Sequence, residues 1–352
     1  MLPRTAHVML TGAHGNVGDA IIRRRALDWV RGAREVHAYV GATTPGWVGQ
    51  LRFDDHDRVY HREHLVRWLR GVLFGARGRV VVLAPGEVAV RRRELAKELG
   101  FLLLTAVVRL TGGTVVRPPR ALRGRAPATV AVHRLACRLS TVVMWRDAPS
   151  AALVGTGLSL PDIGFGETTV EGAPWPRRTT VMVTMRGQRA FPSPAWVEGV
   201  TAFAGAAGLR LQTFAQVRQD EDRAVELATA LGAEHLAWGE RDTVAQEERL
   251  RRAYGDARVV VSDRLHVLVF AMLSGAVPAE VVDAPSSKIR EHFAQISADV
   301  SLDSGGASAE QVRTFLTELV GRREQLFAGL AAGRVQLAEA ERLVERLVAG
   351  PT

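Results

Sequence analysis

The sequence predicts an α/β protein: two Rossmann-like halves, each a mostly parallel sheet with helices between its strands, followed by a long helical region. Three observations carry this. Short apolar, β-branched runs alternate with amphipathic stretches of helical length through the first 166 residues, the pattern of βαβ units. The alternation lapses at GFGETTVEGAPWPRR (164–178) and restarts at Thr180; a Gly/Pro/Thr-rich lapse of this kind marks a linker. At 352 residues the chain also exceeds the usual single domain.

Taken in order, the first half shows strand patterns at 7–11, 36–40, 80–84, 114–116, 128–132 and 141–144. Helical patterns fall at 19–31, 61–74, 94–110 and 135–139. The second half shows strands at 180–184, 210–214, 236–237, 258–261 and 279–282, with helices at 194–207, 222–231, 244–253 and 265–274. Ser308-Ala-Glu-Gln311 is a capping-box pattern. It opens a helical region to about residue 347, with a kink expected near Gly333. The expected domains are therefore 1–166, a linker at 167–178, a second Rossmann-like domain at 179–305 and a helical region at 306–352, with a ligand cleft between the two halves. Ser150 is expected to cap a helix after Arg146-Asp147.

A hydrophobic share of 47% is that of a packed globular chain. The net charge of +9 attracts anions. Only Lys97 and Lys288 are lysines, so part of this charge is a compositional bias toward arginine. Basic residues occur without the aromatic spacing of a single-strand binder, and no nucleic-acid partner is expected. Cys137 is the only cysteine, which excludes an internal disulfide and a cysteine-based zinc site. His56, His61 and His64 sit in a charged, surface-like stretch and read as solvated, so no metal is expected. The N-terminus shows no signal peptide pattern, and the greasy run 99–110 is too short to span a bilayer. A cytoplasmic location is expected. The basic amphipathic stretch 61–74 suits either a core-facing helix with a solvated basic face or peripheral contact with an anionic membrane.

Gly12-Ala-His-Gly15-Asn-Val-Gly18 follows a strand and precedes a helix, similar to the fingerprint of NAD-dependent sugar epimerases and short-chain dehydrogenases. Two requirements are missing. The second strand, VHAYVGA, lacks the acidic residue for the ribose. Tyr39, Tyr60 and Tyr254 are followed four residues later by Thr43, His64 and Arg258 rather than lysine. Asn16 and Asp19 fit a ligand contact, or a tight turn with an acidic residue at the helix start.

The richest stretch is VVVSDRLHVLVFAMLSGAVP (259–278). A strand hands over to a helix at Ser262-Asp263-Arg264-Leu265-His266. Ligands of open α/β sheets bind at the carboxyl ends of strands, and helix N-termini favour anions. Arg264 and His266 are the anion-binding and proton-transfer candidates there, with Asp263 orienting one of them. Arg186 follows the 180–184 strand and lies at another strand end. Lys288, in Ser286-Ser-Lys, suits a phosphate contact or a solvated loop.

GNVGDAII (15–22), WRDAPSAALVGTGLSLPDIGF (145–165), VMVTMRGQR (181–189), FAQVRQDEDRAVELATALG (214–232) and SDRLHVLVFAMLSGAVP (262–278) together resemble the polysaccharide pyruvyltransferase family. The resemblance implies a GT-B-like fold, two Rossmann-like domains facing across a cleft. It implies transfer of pyruvyl from phosphoenolpyruvate to a sugar of a cell-surface polysaccharide or its lipid- or nucleotide-linked precursor, giving a pyruvate ketal and phosphate without a cofactor. Arg186, Arg264 and Leu265 would bind the donor, and His266 would act as general acid or base. The loop Pro85-Gly86-Glu87-Val88 departs from the glycine-rich loop of many relatives. Two other readings stay open. A GT-B glycosyltransferase using a nucleotide-sugar would need a ribose-binding acid and a base-stacking site in the second domain. A non-catalytic carbohydrate- or polyanion-binding relative that kept the fold is the other, and intact Arg186, Arg264 and His266 argue against it.

Overall fold

A computed structural model describes residues 4–12, 15–169 and 172–350. The chain forms two compact units, one from the spans Met1–His14, Asp19–Gly166 and Gly333–Thr352, the other from Gly15–Gly18 and Glu167–Ala332.

The first unit runs β1 (Thr5–Met9), α1 (Val17–Asp28), β2 (Glu35–Gly41), α2 (Pro45–Leu51), β3 (Arg58–His61), α3 (Leu65–Phe74), β4 (Val80–Val82), β5 (Gly86–Ala89), α4 (Leu95–Leu110), β6 (Thr114–Arg123), α5 (Pro127–Leu139), β7 (Val142–Trp145), α6 (Ala148–Val154) and β8 (Leu158–Ser159). Its sheet order is β3-β2-β1-β4-β6-β7-β8, with β5 on β6. The pairings are parallel, as Ala6 against Val36 and Val80 illustrates. β1 and β4 are buried on both faces, so they read as near-continuous apolar runs. Trp68, Val72, Leu104 and Val108 from α3 and α4 close one face over Val81 and Val115.

The second unit runs β9 (Thr180–Thr184), α7 (Pro194–Ala206), β10 (Arg210–Phe214), α8 (Glu221–Leu231), β11 (Glu234–Leu236), α9 (Thr243–Asp256), β12 (Ala257–Ser262), α10 (Leu265–Leu273), β13 (Val277–Val282), α11 (Ser287–Ala294), β14 (Ser301–Asp303), α12 (Ala309–Gly321) and α13 (Arg323–Ala349). Its parallel sheet has the order β11-β10-β9-β12-β13-β14. Val259, Val260 and Val261 of β12 are fully buried, each contributing about 1.5–3 kcal/mol.

In both sheets the first strand lies between the second and the fourth element of the order, so the winding reverses between β1 and β4 and again between β9 and β12. Doubly wound sheets bind ligands beyond the carboxyl ends of strands at such a reversal.

Several local expectations are corrected. Residues 128–132 are helix, not strand, because Pro127 opens α5 and its buried Thr129, Val130, His133, Ala136 and Cys137 recur at helical spacing. Ser150 does not cap α6. Asp147 does, accepting from the Ser150 N–H, while the Ser150 hydroxyl accepts from Leu122 N–H. The Ser308–Gln311 capping box forms on α12, but the helix breaks at Arg322 rather than at Gly333. The second half of α13 packs with the first unit, where Glu341 pairs with Arg25 at 3.0 Å. Among the described residues, no helix is long and apolar enough to cross a membrane.

Candidate functional site

The reversal between β9 and β12 gathers the charged residues of the second unit. β9 ends at Thr184 and β12 at Ser262, and Asp263 follows directly, with no exposed surface. Its carboxylate accepts from the Arg186 N–H at 2.9 Å, lies 3.0 Å from Arg189 Nε and 3.7 Å from Arg186 Nε. Burial pushes the Asp263 carboxyl above its ordinary value, and the cations of Arg186, Arg189 and Arg264 oppose that rise. Asp263 thus holds Arg186 and Arg189; the expectation that it orients Arg264 or His266 is replaced by this pairing.

Arg264 is the N-cap of α10, and its side chain makes no capping bond. Its guanidinium instead grips buried Asp220 through Nε and through Nη2, the latter at 2.8 Å. Asp220 also accepts from Gly187 N–H at 3.1 Å. Two buried carboxylates therefore pin the loop after β9 by its successive N–H groups at 186 and 187, and three guanidiniums surround them. Arg264 is bound to Asp220, whereas the Arg186 guanidinium stands 3.7 Å from Asp263 and its Nε makes no hydrogen bond among the described residues.

His266 is the second residue of α10 and is half-buried. Its ring lies near Phe270, with centroids 6.3 Å apart, and against Gly18. A Cβ added at 18 would lie 2.5 Å from His266 Cβ and 2.9 Å from Nδ1. Gly18 is glycine because the imidazole occupies the space a side chain would need. Asn16 turns this segment: its Oδ1 accepts from Gly18 N–H at 3.1 Å, and its backbone bridges Val217. Ala13 and His14 of the glycine loop lie outside the described residues. Leu265 is buried and serves the core. Lys288 sits in the first turn of α11, its N–H donating to the capping Ser286 hydroxyl at 3.2 Å. Asp19 belongs to the first unit, in the first turn of α1, 3.7 Å from Arg23.

A cavity of about 250 Å³ opens beyond the ends of β9, β13 and β14. Phe191, Pro192, Trp196 and Val282 form apolar walls, and Arg189 and Asp283 supply charge. Arg189 joins it to the carboxylate cluster, since its Nη1 donates to the Asp283 carbonyl at 2.8 Å while its Nε faces Asp263. Asp303 shapes the corner by accepting from Ala284 N–H at 3.1 Å and Gly305 N–H at 2.9 Å. Ala284 takes a left-handed φ of 49° there. The buried Thr184 hydroxyl at the end of β9 has no hydrogen-bond partner among the described residues. No group of three or more His, Cys, Asp or Glu side chains among the described residues could hold a metal ion.

Arg189, Asp220 and this cavity were not read from the sequence. Arg189 had a signal, a second arginine one short turn after Arg186. Asp220 precedes a helix and looks like an ordinary cap. The cavity joins residues from three strand ends and has no local signature.

Together the two doubly wound units form a GT-B-like α/β fold. No protein-family model matches the sequence, and no curated protein matches it. Solved structures do. UDP-GlcNAc 2-epimerase from Methanocaldococcus jannaschii superposes with a TM-score of 0.58 at 10% identity, over 96% of this chain and 99% of that one. Anabaena Alr3699/HepE in complex with UDP gives 0.57 at 8%, over 97% of each chain. A putative UDP-N-acetylglucosamine 2-epimerase from Listeria monocytogenes gives 0.53 at 11%, over 94% and 91%. At such identities the likeness is one of fold. It corrects the expected phosphoenolpyruvate-dependent pyruvyltransferase: these neighbours are named for UDP-sugars or bound to UDP.

Proposed function

We propose that the second unit binds a nucleotide-sugar and that the protein is a GT-B-type enzyme acting on it, with glycosyl transfer as the reaction. One observation carries the reading. An apolar, aromatic-walled cavity with an acidic residue, Asp283, lies beside a cluster in which arginines outnumber buried carboxylates. These are the two parts the sequence alone had not supplied for such a ligand. Phe191 and Pro192 suit a base, Asp283 suits ribose hydroxyls, and Arg186, Arg189 and the first turn of α10 suit a diphosphate. The fold neighbours named for UDP-sugars support the same ligand class.

In transfer, negative charge grows on the departing nucleoside diphosphate. Preorganised guanidiniums and helix N–H groups stabilise such charge without reorganising. Asp220 and Asp263 hold those guanidiniums in place. His266, in the first turn of α10, is the candidate proton-transfer side chain beside this position. No cofactor enters this reading.

The test is calorimetric titration of the full chain with UDP, ADP and GDP, phosphoenolpyruvate and NAD, on wild type and on a Phe191→Ala, Asp283→Ala variant. Binding of one nucleoside diphosphate, weakened at least about tenfold in the variant, supports the proposal. Failure of all three to bind sinks it. Release of that nucleotide from its sugar conjugate then tests catalysis.

A further inference from the structure

We propose that the cavity at the strand reversal of the first unit is an oxyanion-binding site, taking a phosphate or carboxylate group of a small molecule. It has a volume of about 140 Å³ and lies beyond β1 and β4, between Thr11, Ala84 and the side chains of Arg23, Arg117 and Arg120. That position is where a doubly wound sheet presents ligands. The volume admits an anionic group but not a whole nucleotide. This site is separate from the one in the second unit and does not depend on how that one is read.

The strand carrying the arginines is built for it. β6 is buried along nearly its whole length and carries Pro118-Pro119, two residues that cannot donate to a ladder. Residues three apart in a regular strand face opposite sides. The register against β7 shifts between Arg117 and Arg120, and both side chains line the same cavity. They are 1% and 4% exposed.

Among the described residues neither makes an ion pair with a carboxylate, and Glu98 opposes the loss of their charge only as a secondary influence. Arg117 donates to the Ser140 hydroxyl at 2.8 Å and the Thr105 hydroxyl at 3.2 Å. Arg120 donates to the Ala84 carbonyl at 3.0 Å, and its Nε has no partner. Glu98, also in the lining, is taken by His133 at 2.8 Å. Glu87 faces Arg123 at 3.3 Å and Arg146 at 3.8 Å. Arg23 and Lys97 also line the cavity, each 3.7 Å from a carboxylate of its own, Asp19 and Glu94. Burial and the neighbouring Arg117 lower the Arg120 guanidinium to about 9, against the smaller opposing pull of Cys137 and Glu98. Two guanidiniums buried without carboxylates are costly by themselves. An oxyanion between them supplies the missing charge and the acceptor for Arg120 Nε.

The test is titration of the full chain with inorganic phosphate and with acetate, at constant ionic strength. Binding of either anion is expected, weakened about tenfold or more in Arg120→Met and retained in Arg186→Ala. Tighter phosphate points to a phosphorylated ligand, tighter acetate to a carboxylated one. The proposal is overturned if neither anion binds, if Arg120→Met leaves affinity unchanged, or if Arg186→Ala abolishes it. Should Arg120→Met fail to fold, crystals of the wild type soaked in selenate decide: an anomalous peak between Arg117 and Arg120 supports the site, and its absence refutes it.

Discussion

The bidentate pair between Arg264 and Asp220 should be the strongest single coupling in the second unit's charged cluster. Asp220 is 3% exposed and Arg264 20% exposed at the side chain. Removing one member of a buried ion pair costs about 3–5 kcal/mol when the other stays buried. Asp220→Ala frees a guanidinium that can turn toward water, so the cost falls to about 2–3 kcal/mol, including the bond lost from Gly187 N–H. Arg264→Ala strands a carboxylate that cannot move, and about 3 kcal/mol is expected. The double variant removes both charges and should cost less than the sum, with a coupling of about 1–2 kcal/mol. Arg264→Lys should behave like a loss, since a point charge cannot keep both bonds. Urea unfolding followed by tryptophan fluorescence reads this, because buried Trp196 and Trp238 report on the second unit. Two units need not unfold together, so the transition of this unit is the quantity compared. A coupling under about 0.5 kcal/mol, with UDP affinity unchanged around the cycle, would refute the claim that Asp220 positions Arg264.

Three further outcomes are expected. Gly18→Ala places a methyl inside the His266 ring contact and should cost about 1–3 kcal/mol; an unchanged midpoint would mean the segment 15–18 is not seated on α10. His7 is buried with its imidazole lowered to about 3 by burial, then by His37 and Arg79. An unfolded histidine takes its proton near 6.5, so this contribution is intact above that pH and is lost as pH falls from 6.5 toward 3. A loss of the order of 4 kcal/mol is expected, and His7→Phe should flatten it in denaturant titrations at stepped pH. Finally, Phe74, Leu103 and Leu110 are exposed on α3 and α4 beside Arg67, Arg70 and Arg109. They should bring the chain down with anionic but not zwitterionic vesicles, and Leu103→Glu should weaken that sedimentation; equal binding to both vesicle types would exclude an electrostatic membrane contact.

What could be read along the chain was local periodicity and punctuation. The strands at 180–184 and 210–214 match β9 and β10, because short apolar segments bounded by turn residues and helical stretches read as strands. The capping box at Ser308 formed because its two reciprocal bonds join residues three apart. Periodicity failed at Thr129–Val130, where β-branched residues sit on a buried helix face. Tertiary packing outweighed propensity there. Arg186, Asp263, Arg264 and His266 could be singled out because each stands at or just beyond a strand end, a position visible in one dimension. Their partners were not. Asp220 lies 44 residues from Arg264, and the Asp263 carboxylate meets the Arg186 N–H across 77. The common cavity face of Arg117 and Arg120 depends on a register shift against another strand.

The sequence by itself determined that this protein would be two doubly wound α/β units with cations at strand ends, since hydrophobic period and turn chemistry act between near neighbours. Only the tertiary structure decided which carboxylate each cation meets and which arginines are left without one. It also seated the segment 15–18 on the second unit and the end of α13 on the first. Those outcomes depend on side chains brought together from distant parts of the chain, and charge is balanced in space rather than along it.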